Sequence, residues 1–338
     1  MQQETLASTS VDVAVGDVIE EYFERGWTDG LPVVPATEER VREFLAACGK
    51  RPSDVVGVVP TRGRVITAEK IAINAVMAGC KPEYMPVVVA IIEAMTEPEF
   101  NYHGALASTG GSAQLIVVNG PVAEAIGING AVNAFGPGFR ANATIGRAIR
   151  LIIINVTTGT PGLLDRSTLG HGGKYSFCFT ENMEASPWEP LHVQRGFSPD
   201  ESAVTVVAVE APHQISDHIS NTPERLLDSM AHQMSVHPPG YGEYVVVVVP
   251  EHALIFRNAG WSKRQAVEYL FSKAVSSTGH PTHEPLPPGT APEEKPVMKS
   301  ADGIIMLVAG GNAGGFSALI PTWGSGNISR SVTKRVVV

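Results

Sequence analysis

The chain has 338 residues, 43% of them apolar and 17% charged, with a net charge of −9. That is enough apolar matter for a sizeable core and too little charge for a disordered chain, and the acidic balance gives no general electrostatic reason to bind nucleic acid or an anionic membrane. No apolar run approaches the roughly 20 residues of a membrane helix, and residues 1–10 lack the basic start and apolar stretch of a signal peptide, so a soluble, cytoplasmic protein is expected.

Residues 17–25 read as an amphipathic helix with Val18, Ile19, Tyr22 and Phe23 on one side. A turn at residues 26–30 leads into a short apolar strand at 31–35. Thr37 is a good N-cap for the helix that follows, whose Val41, Phe44, Leu45 and Cys48 fall at i, i+3, i+4 and i+7, with Gly49 at its end. Residues 55–59 form the next strand. Thr67 can cap a helix to Ala78, Gly79 ends it, and Pro82 opens another to Met95. A strand at 114–118 precedes the Asn119-Gly120-Pro121 turn and a short helix. Asn142 can cap the helix that carries Arg147 and Arg150.

From 157 to 200 periodicity is poor, and a stretch that long without regular elements is usually functional or an interface. Order returns with a strand at 203–209 and a helix capped by Thr222-Pro223 that runs to Met234. A strong strand at 244–249, a short helix from Pro250, and a helix opened by the capping box Ser262 to Gln265 follow. Residues 280–296 are proline-rich and read as a loop or lid. Residues 304–308 are the last clear strand. Strands alternate with helices at least four times, which predicts an α/β fold with a mixed or parallel sheet. Two lobes are expected, 1–199 with the irregular segment 157–199, and 200–338. No strict sequence period recurs, so any internal repeat is weak.

Five places could carry chemistry. The loop with Gly136, Gly138 and Arg140 could admit an anion to a helix start, or be a tight turn. Gly310, Gly311 and Gly314 follow a strand, where open α/β sheets bind ligands, although they do not match GxGxxG. His103, as general base or metal ligand, lies near Thr109, Gly110 and Ser112, whose loop suits substrate binding. Cys80 sits before a helix start beside Lys81, which would favour a thiolate; the alternative is a small buried hydrophobe. In the irregular segment, Lys174 could hold a substrate while Cys178, Glu181 and His192 act on it, although Cys178 between two phenylalanines reads equally well as packing.

The three cysteines, Cys48, Cys80 and Cys178, are too few and too far apart for a disulfide framework or a CxxC site. Pairs of histidines such as His213 with His218, or His280 with His283, could contribute to a metal site, but no zinc signature is present. The sequence names no cofactor.

Four runs carry a resemblance: residues 26–33 (GWTDGLPV), 70–82 (KIAINAVMAGCKP), 140–150 (RANATIGRAIR) and 174–196 (KYSFCF…ASPWEPLHVQRG). Over most of 26–330 the chain resembles a bacterial family associated with the UGSC domain, named for a selenocysteine- or cysteine-Gly-Ser-Cys motif. The resemblance implies a bacterial metabolic protein that could act with a small partner subunit. This chain lacks Cys-Gly-Ser-Cys, so no thiol redox role carries over.

Together these readings lead to an enzyme acting on a small anionic organic substrate. It would cleave or form a carbon–heteroatom bond, as a lyase or hydrolase, with a cysteine thiolate. Two alternatives stand beside it: a histidine-bound metal that activates water, and a non-catalytic subunit of a larger complex. Homo-oligomerisation is expected under all three, because irregular apolar-aromatic segments need cover.

Overall fold

The computed structural model describes residues 4–13, 18–276, 294–324 and 328–337. Its first helices are α1 (Val18–Glu24) and α2 (Glu38–Ala47), the latter capped by Thr37 as the sequence predicts. Asp17 lies outside the described residues. The hairpin β1 (Val55–Val59) and β2 (Arg64–Thr67) leads to α3 (Ala68–Ala78), capped by Thr67 and ended by Gly79 in the left-handed region. Next come α4 (Met85–Met95), α5 (Tyr102–Ala107), β3 (Ala113–Asn119), α6 (Pro121–Ala125) and the long α7 (Arg140–Asn155). The irregular stretch holds only β4 (Cys178–Phe179) and α8 (Leu191–Gln194). The remainder is β5 (Ala203–Val209), β6 (His213–Ser216), α9 (Pro223–Met234), β7 (Tyr244–Val248), α10 (Pro250–Ala259), α11 (Lys263–Lys273), the ribbon β8 (Val275–Ser276) with β9 (Lys295–Pro296), then β10 (Ile304–Val308), β11 (Phe316–Pro321) and β12 (Val332–Arg335).

The fold is α/β, with two mixed four-stranded sheets, β12-β5-β3-β4 and β6-β11-β7-β10. In each, a central strand pairs parallel on one side and antiparallel on the other: β3 with β4 and β5, β7 with β10 and β11. Taken as two series in chain order, β3-β4-β5-β6 and β7-β10-β11-β12, each sheet draws its outermost antiparallel strand from the other series. β6 follows β5 but pairs with β11, and β12 follows β11 but pairs with β5. The fold therefore contains a repeat of topology that has no period in sequence, its fourth strands exchanged. The expected boundary at 199/200 falls inside the first sheet, because β5 pairs with β3.

Both faces of both sheets are covered, so β3, β5, β7 and β10 are buried throughout and read as continuous apolar runs rather than alternating ones. Their alternation reappears in what each side chain touches. Ile116 and Val118 join α3, α4 and α7 in one core, and Val246 and Val248 join α9, α10 and α11 in another. Leu115, Val117, Val245 and Val247 meet between the sheets in a third. The layers run helix, sheet, sheet, helix.

Three sequence expectations are corrected. Residues 31–35 form no strand: Pro32 and Pro35 cannot complete a ladder, and Arg147 takes up the carbonyls of Leu31 and Pro32. The helix from Pro82 starts as one tight turn, and α4 proper begins at Met85. Asn142 does not cap α7 but lies inside it, its side chain exchanging two 2.8 Å hydrogen bonds with the backbone of Asn129. The reading of 280–296 as a loop or lid falls almost wholly outside the described residues, with His280 and His283.

The run at 26–33 is pinned to α7. Arg147 grips Asp29 with two hydrogen bonds of 2.8 and 2.9 Å, and Asn155 reaches the Trp27 carbonyl. Asp29 is almost wholly enclosed. Its replacement by alanine leaves Arg147 without a counter-charge and is expected to cost roughly 2–4 kcal/mol in urea denaturation. A loss below about 1 kcal/mol would show that the contact is incidental.

Candidate functional site

The residues singled out from sequence fall into several places, not one. Cys80 is buried; its thiol donates to the Thr144 carbonyl at 3.3 Å. Burial pushes it up to about 12, the opposite of the expected thiolate, because the charged form would lose its hydration. Burial likewise raises the Cys178 thiol. Neither cysteine is the activated nucleophile that the sequence suggested. Arg140 donates to the carbonyls of Gly79 and Cys80 at 3.0 and 3.3 Å, so it fastens the start of α7 rather than facing a ligand.

The glycine loops are occupied by the protein's own backbone. A Cβ on Gly136 would lie 2.1 Å from the Asn133 side chain, which donates to the Pro137 carbonyl and closes a tight turn that also holds Gly138. The Gly310 amide donates to the Gly130 carbonyl, and its own carbonyl accepts from Asn182. Gly311 lies against Val132, and the Gly314 amide donates to Glu251. A Cβ on Gly315 would lie 2.1 Å from the Asp217 carbonyl. Beside this loop His252 and Ser317 are buried 2.7 Å apart, and the other ring nitrogen meets the Asp217 carbonyl at 2.7 Å. This satisfied pair holds the loop onto α10.

The same contacts show where the sheets converge. The carboxyl ends of β4 and β10 meet, with the Asn182 amide donating to the Val308 carbonyl at 2.8 Å. The crevice at the carboxyl ends of parallel strands is where open α/β sheets bind ligands. Glu181 sits there, buried. Its Oε2 accepts from Asn119 and from the Leu191 amide, both at 2.7 Å, and its Oε1 has no hydrogen-bond partner among the described residues. Gly130 is required beneath it, since a Cβ there would lie 2.3 Å from the Thr180 carbonyl. Burial raises the Glu181 carboxyl above its ordinary value, against the lowering pull of Lys263, Leu191 and Asn119. His192, next to Leu191, is buried with its ring against the Ser198–Pro199 backbone, and burial lowers its pKa.

Lys263 lines an open cleft of about 720 Å³ with Trp188, Glu189, Phe256, Arg257 and Trp261. Its ammonium donates to the Glu189 carbonyl at 3.1 Å and lies 5.9 Å from the Trp188 ring centroid. Burial lowers its pKa, opposed by Glu181 and Glu189. Lys263 lies in the cleft and its positive charge acts on Glu181, with no hydrogen bond or ion pair between the two among the described residues. Lys263, Arg257 and Trp261 were not singled out from sequence. A signal was present: α11 begins Lys263-Arg264 with no acidic residue in its first turn, and cations at a helix N-terminus oppose the helix dipole.

The remaining residues gather elsewhere. His103 Nδ1 accepts from Arg62 Nε at 3.1 Å. The Thr109 carbonyl accepts from the Thr168 amide, the Gly110 carbonyl from Ser167, and Lys174 pairs with Asp165 at 2.6 Å. Ser112 Oγ is buried without a partner among the described residues. Among the described residues no three His, Cys, Asp or Glu side chains are grouped so as to hold a metal ion, and no helix is long and apolar enough to cross a membrane. Compared with known proteins, the chain matches no protein-family model and no curated sequence.

Two measurements follow from these environments. Iodoacetamide at pH 7, read by peptide mass spectrometry, should leave Cys80 and Cys178 unmodified until the protein is unfolded; rapid labelling of either would overturn the assignment. For Glu181, a folded pKa above the unfolded value means that the folded state binds more protons, so its contribution to stability declines as pH rises from the ordinary carboxyl value of 4.5 through the raised one. Glu181→Gln removes that decline. Its melting temperature relative to the parent should therefore climb with pH above about 4.5, and a flat difference would contradict a raised carboxyl.

Proposed function

We propose that this chain is an enzyme acting on a small anionic organic substrate, and that its reaction is the cleavage or formation of a carbon–heteroatom bond by acid–base chemistry, as a lyase or hydrolase. The observation that carries this reading is a buried Glu181 with an unpartnered oxygen and, in an open cleft, Lys263, whose charge acts on it. An amine lowered by burial and an acid raised by burial approach each other in proton affinity, which suits proton transfer near neutral pH. Groups so shifted also occur in structural ion pairs; the open cleft in front of Lys263 favours the catalytic reading.

Lys263 is the group that meets the substrate. Glu181, held by Asn119 and the Leu191 amide, positions its charge and exchanges its proton. The amino end of α11 and the Arg257 guanidinium favour an anion in the cleft, although Arg257 also donates to the Ala185 carbonyl at 2.8 Å. Trp188 and Trp261 offer flat apolar walls to the substrate's carbon skeleton. The thiolate route is set aside, because both candidate thiols are buried and raised.

Tryptophan fluorescence tests the cleft directly, since two of its walls are indole rings. Titration with a panel of small carboxylates and phosphate esters should yield at least one saturable change. Lys263→Met should weaken that binding by about tenfold or more, the loss of one hydrogen bond to a charged group. No saturable response, or an unchanged one in the variant, would remove the cleft from consideration.

A second reading has its own observation. The irregular segment exposes Leu163, Leu169 and Tyr175 at 71%, 95% and 57% of their surface. Apolar side chains so displayed favour an interface, either between copies of the chain or with a partner in a larger complex. Light scattering should give a mass above one chain, and Leu163→Ser with Leu169→Ser should reduce it; a monomer in both cases would dismiss self-association.

A further inference from the structure

At the amino end of β3, far from the cleft, lies a second polar cluster enclosed in the protein. Gln114, on β3, projects to the face that Ile116 and Val118 share and that α7 covers, and Ser112 is buried just before the strand begins. Arg150 comes down from α7 onto that face. It is buried and donates to Gln114 Oε1 and to Asp165, both at 3.4 Å, and to the Lys174 carbonyl at 2.9 Å. Asp165 gives its closer contacts to Lys174, at 2.6 and 2.9 Å, and accepts from Ser167 at 2.7 Å. Arg62 lies alongside, over the ring of the buried Tyr102. Asp29, the other carboxylate within electrostatic reach of Arg150, is engaged by Arg147. Arg150 and Lys174 thus share one carboxylate, Asp165, and Arg62 on the Tyr102 ring adds a further positive charge without a carboxylate of its own.

The unused hydrogen-bonding capacity in this cluster belongs to donors. Gln114 Nε2 and Ser112 Oγ are both buried, and neither has a partner among the described residues. An unpaired buried donor beside an undercompensated guanidinium is costly, and a negatively charged acceptor would relieve both costs at once. The walls are built to close tightly. The loop carrying Thr109 and Gly110 is bonded to Thr168 and Ser167, and a Cβ on Gly111 would lie 2.9 Å from Gly170. Thr158, next to the Thr157 that bonds Tyr102, holds a φ of 58°, a conformation that β-branched residues rarely adopt.

We propose that this cluster is a binding site for one small anion, held by Ser112 Oγ, Gln114 Nε2 and the Arg150 guanidinium. The ligand class is a halide or a compact oxyanion such as phosphate or a short carboxylate. The site is independent of the cleft, and neither Lys263 nor Glu181 takes part in it.

The test is thermal unfolding of the full chain in a chloride-free buffer, titrated separately with sodium chloride, phosphate and acetate, with gluconate matching ionic strength. One of the three should raise the melting temperature in a saturable manner, while gluconate should not. A chloride response identifies a halide site, and a phosphate or acetate response an oxyanion site. Gln114→Leu, close to isosteric, should weaken the response by about tenfold or more, and Arg150→Met should abolish it. Should that variant fail to fold, Gln114→Leu and Ser112→Ala decide. A melting temperature that follows ionic strength alone, or an equal saturable response in parent and Gln114→Leu, would overturn the proposal.

Discussion

The architecture depends on the exchange of one strand between two sheets. Without β6, the second sheet would end at β11, and without β12 the first would end at β5. Each exchange covers an edge that would otherwise present a row of unpaired backbone groups. The same crossings bring Glu210 to the Pro321 carbonyl and Trp323 to the Ala208 carbonyl, so the sheets are fixed against each other where the chain passes between them. The apolar layer of Leu115, Val117, Val245 and Val247 fills the space thereby enclosed. With the sheets locked in this register, the carboxyl ends of both parallel pairs arrive together, and Glu181 and Gly310 become neighbours through Asn182.

Local chemistry made much of this legible in advance. The caps at Thr37, Thr67, Thr222 and Ser262 mark four helix starts, because a side-chain oxygen followed by free amides is a short-range signal. The buried runs of β3, β5, β7 and β10 stand out because covering both faces demands apolar residues at every position. What stayed hidden was long-range. β6 and β12 are short and polar, His213–Ser216 and Val332–Arg335, and their identity as strands comes only from the partners they reach. The repeat is hidden for the same reason: it is one of pairing and direction, carried by different residues in each half.

The candidate residues show a similar division. A glycine-rich loop signals that something must approach the backbone closely, but not what. Here Gly136 admits Asn133, Gly130 admits Thr180, and Gly315 admits Asp217, so the demand comes from packing. Cys80 beside Lys81 looks activated in one dimension. In three, the thiol is enclosed and bonded to Thr144, and desolvation outweighs any nearby cation. Glu181 could be named from sequence as an ionisable group in an irregular segment. The features that set it apart, an unpartnered oxygen and the charge of a lysine on α11, arise only from the fold.

The geometry of β3 explains why the candidates could not all serve one site. The strand has seven residues, and at about 3.3 Å per residue its ends are roughly 20 Å apart. Asn119, at one end, holds Glu181. Gln114, near the other, meets Arg150, and Ser112 lies just before it. A ligand of ten or so heavy atoms cannot touch both. His103, Thr109, Gly110, Ser112 and Lys174 therefore belong with the Arg150 cluster, and Glu181 belongs with Lys263 and the cleft. The two ends also differ in electrostatic character. At the carboxyl end, burial lowers the Lys263 amine and raises the Glu181 carboxyl, so that both are drawn toward neutrality. At the amino end, guanidinium groups cannot lose theirs at any physiological pH, so the excess positive charge must be met by an anion from outside or borne by the fold.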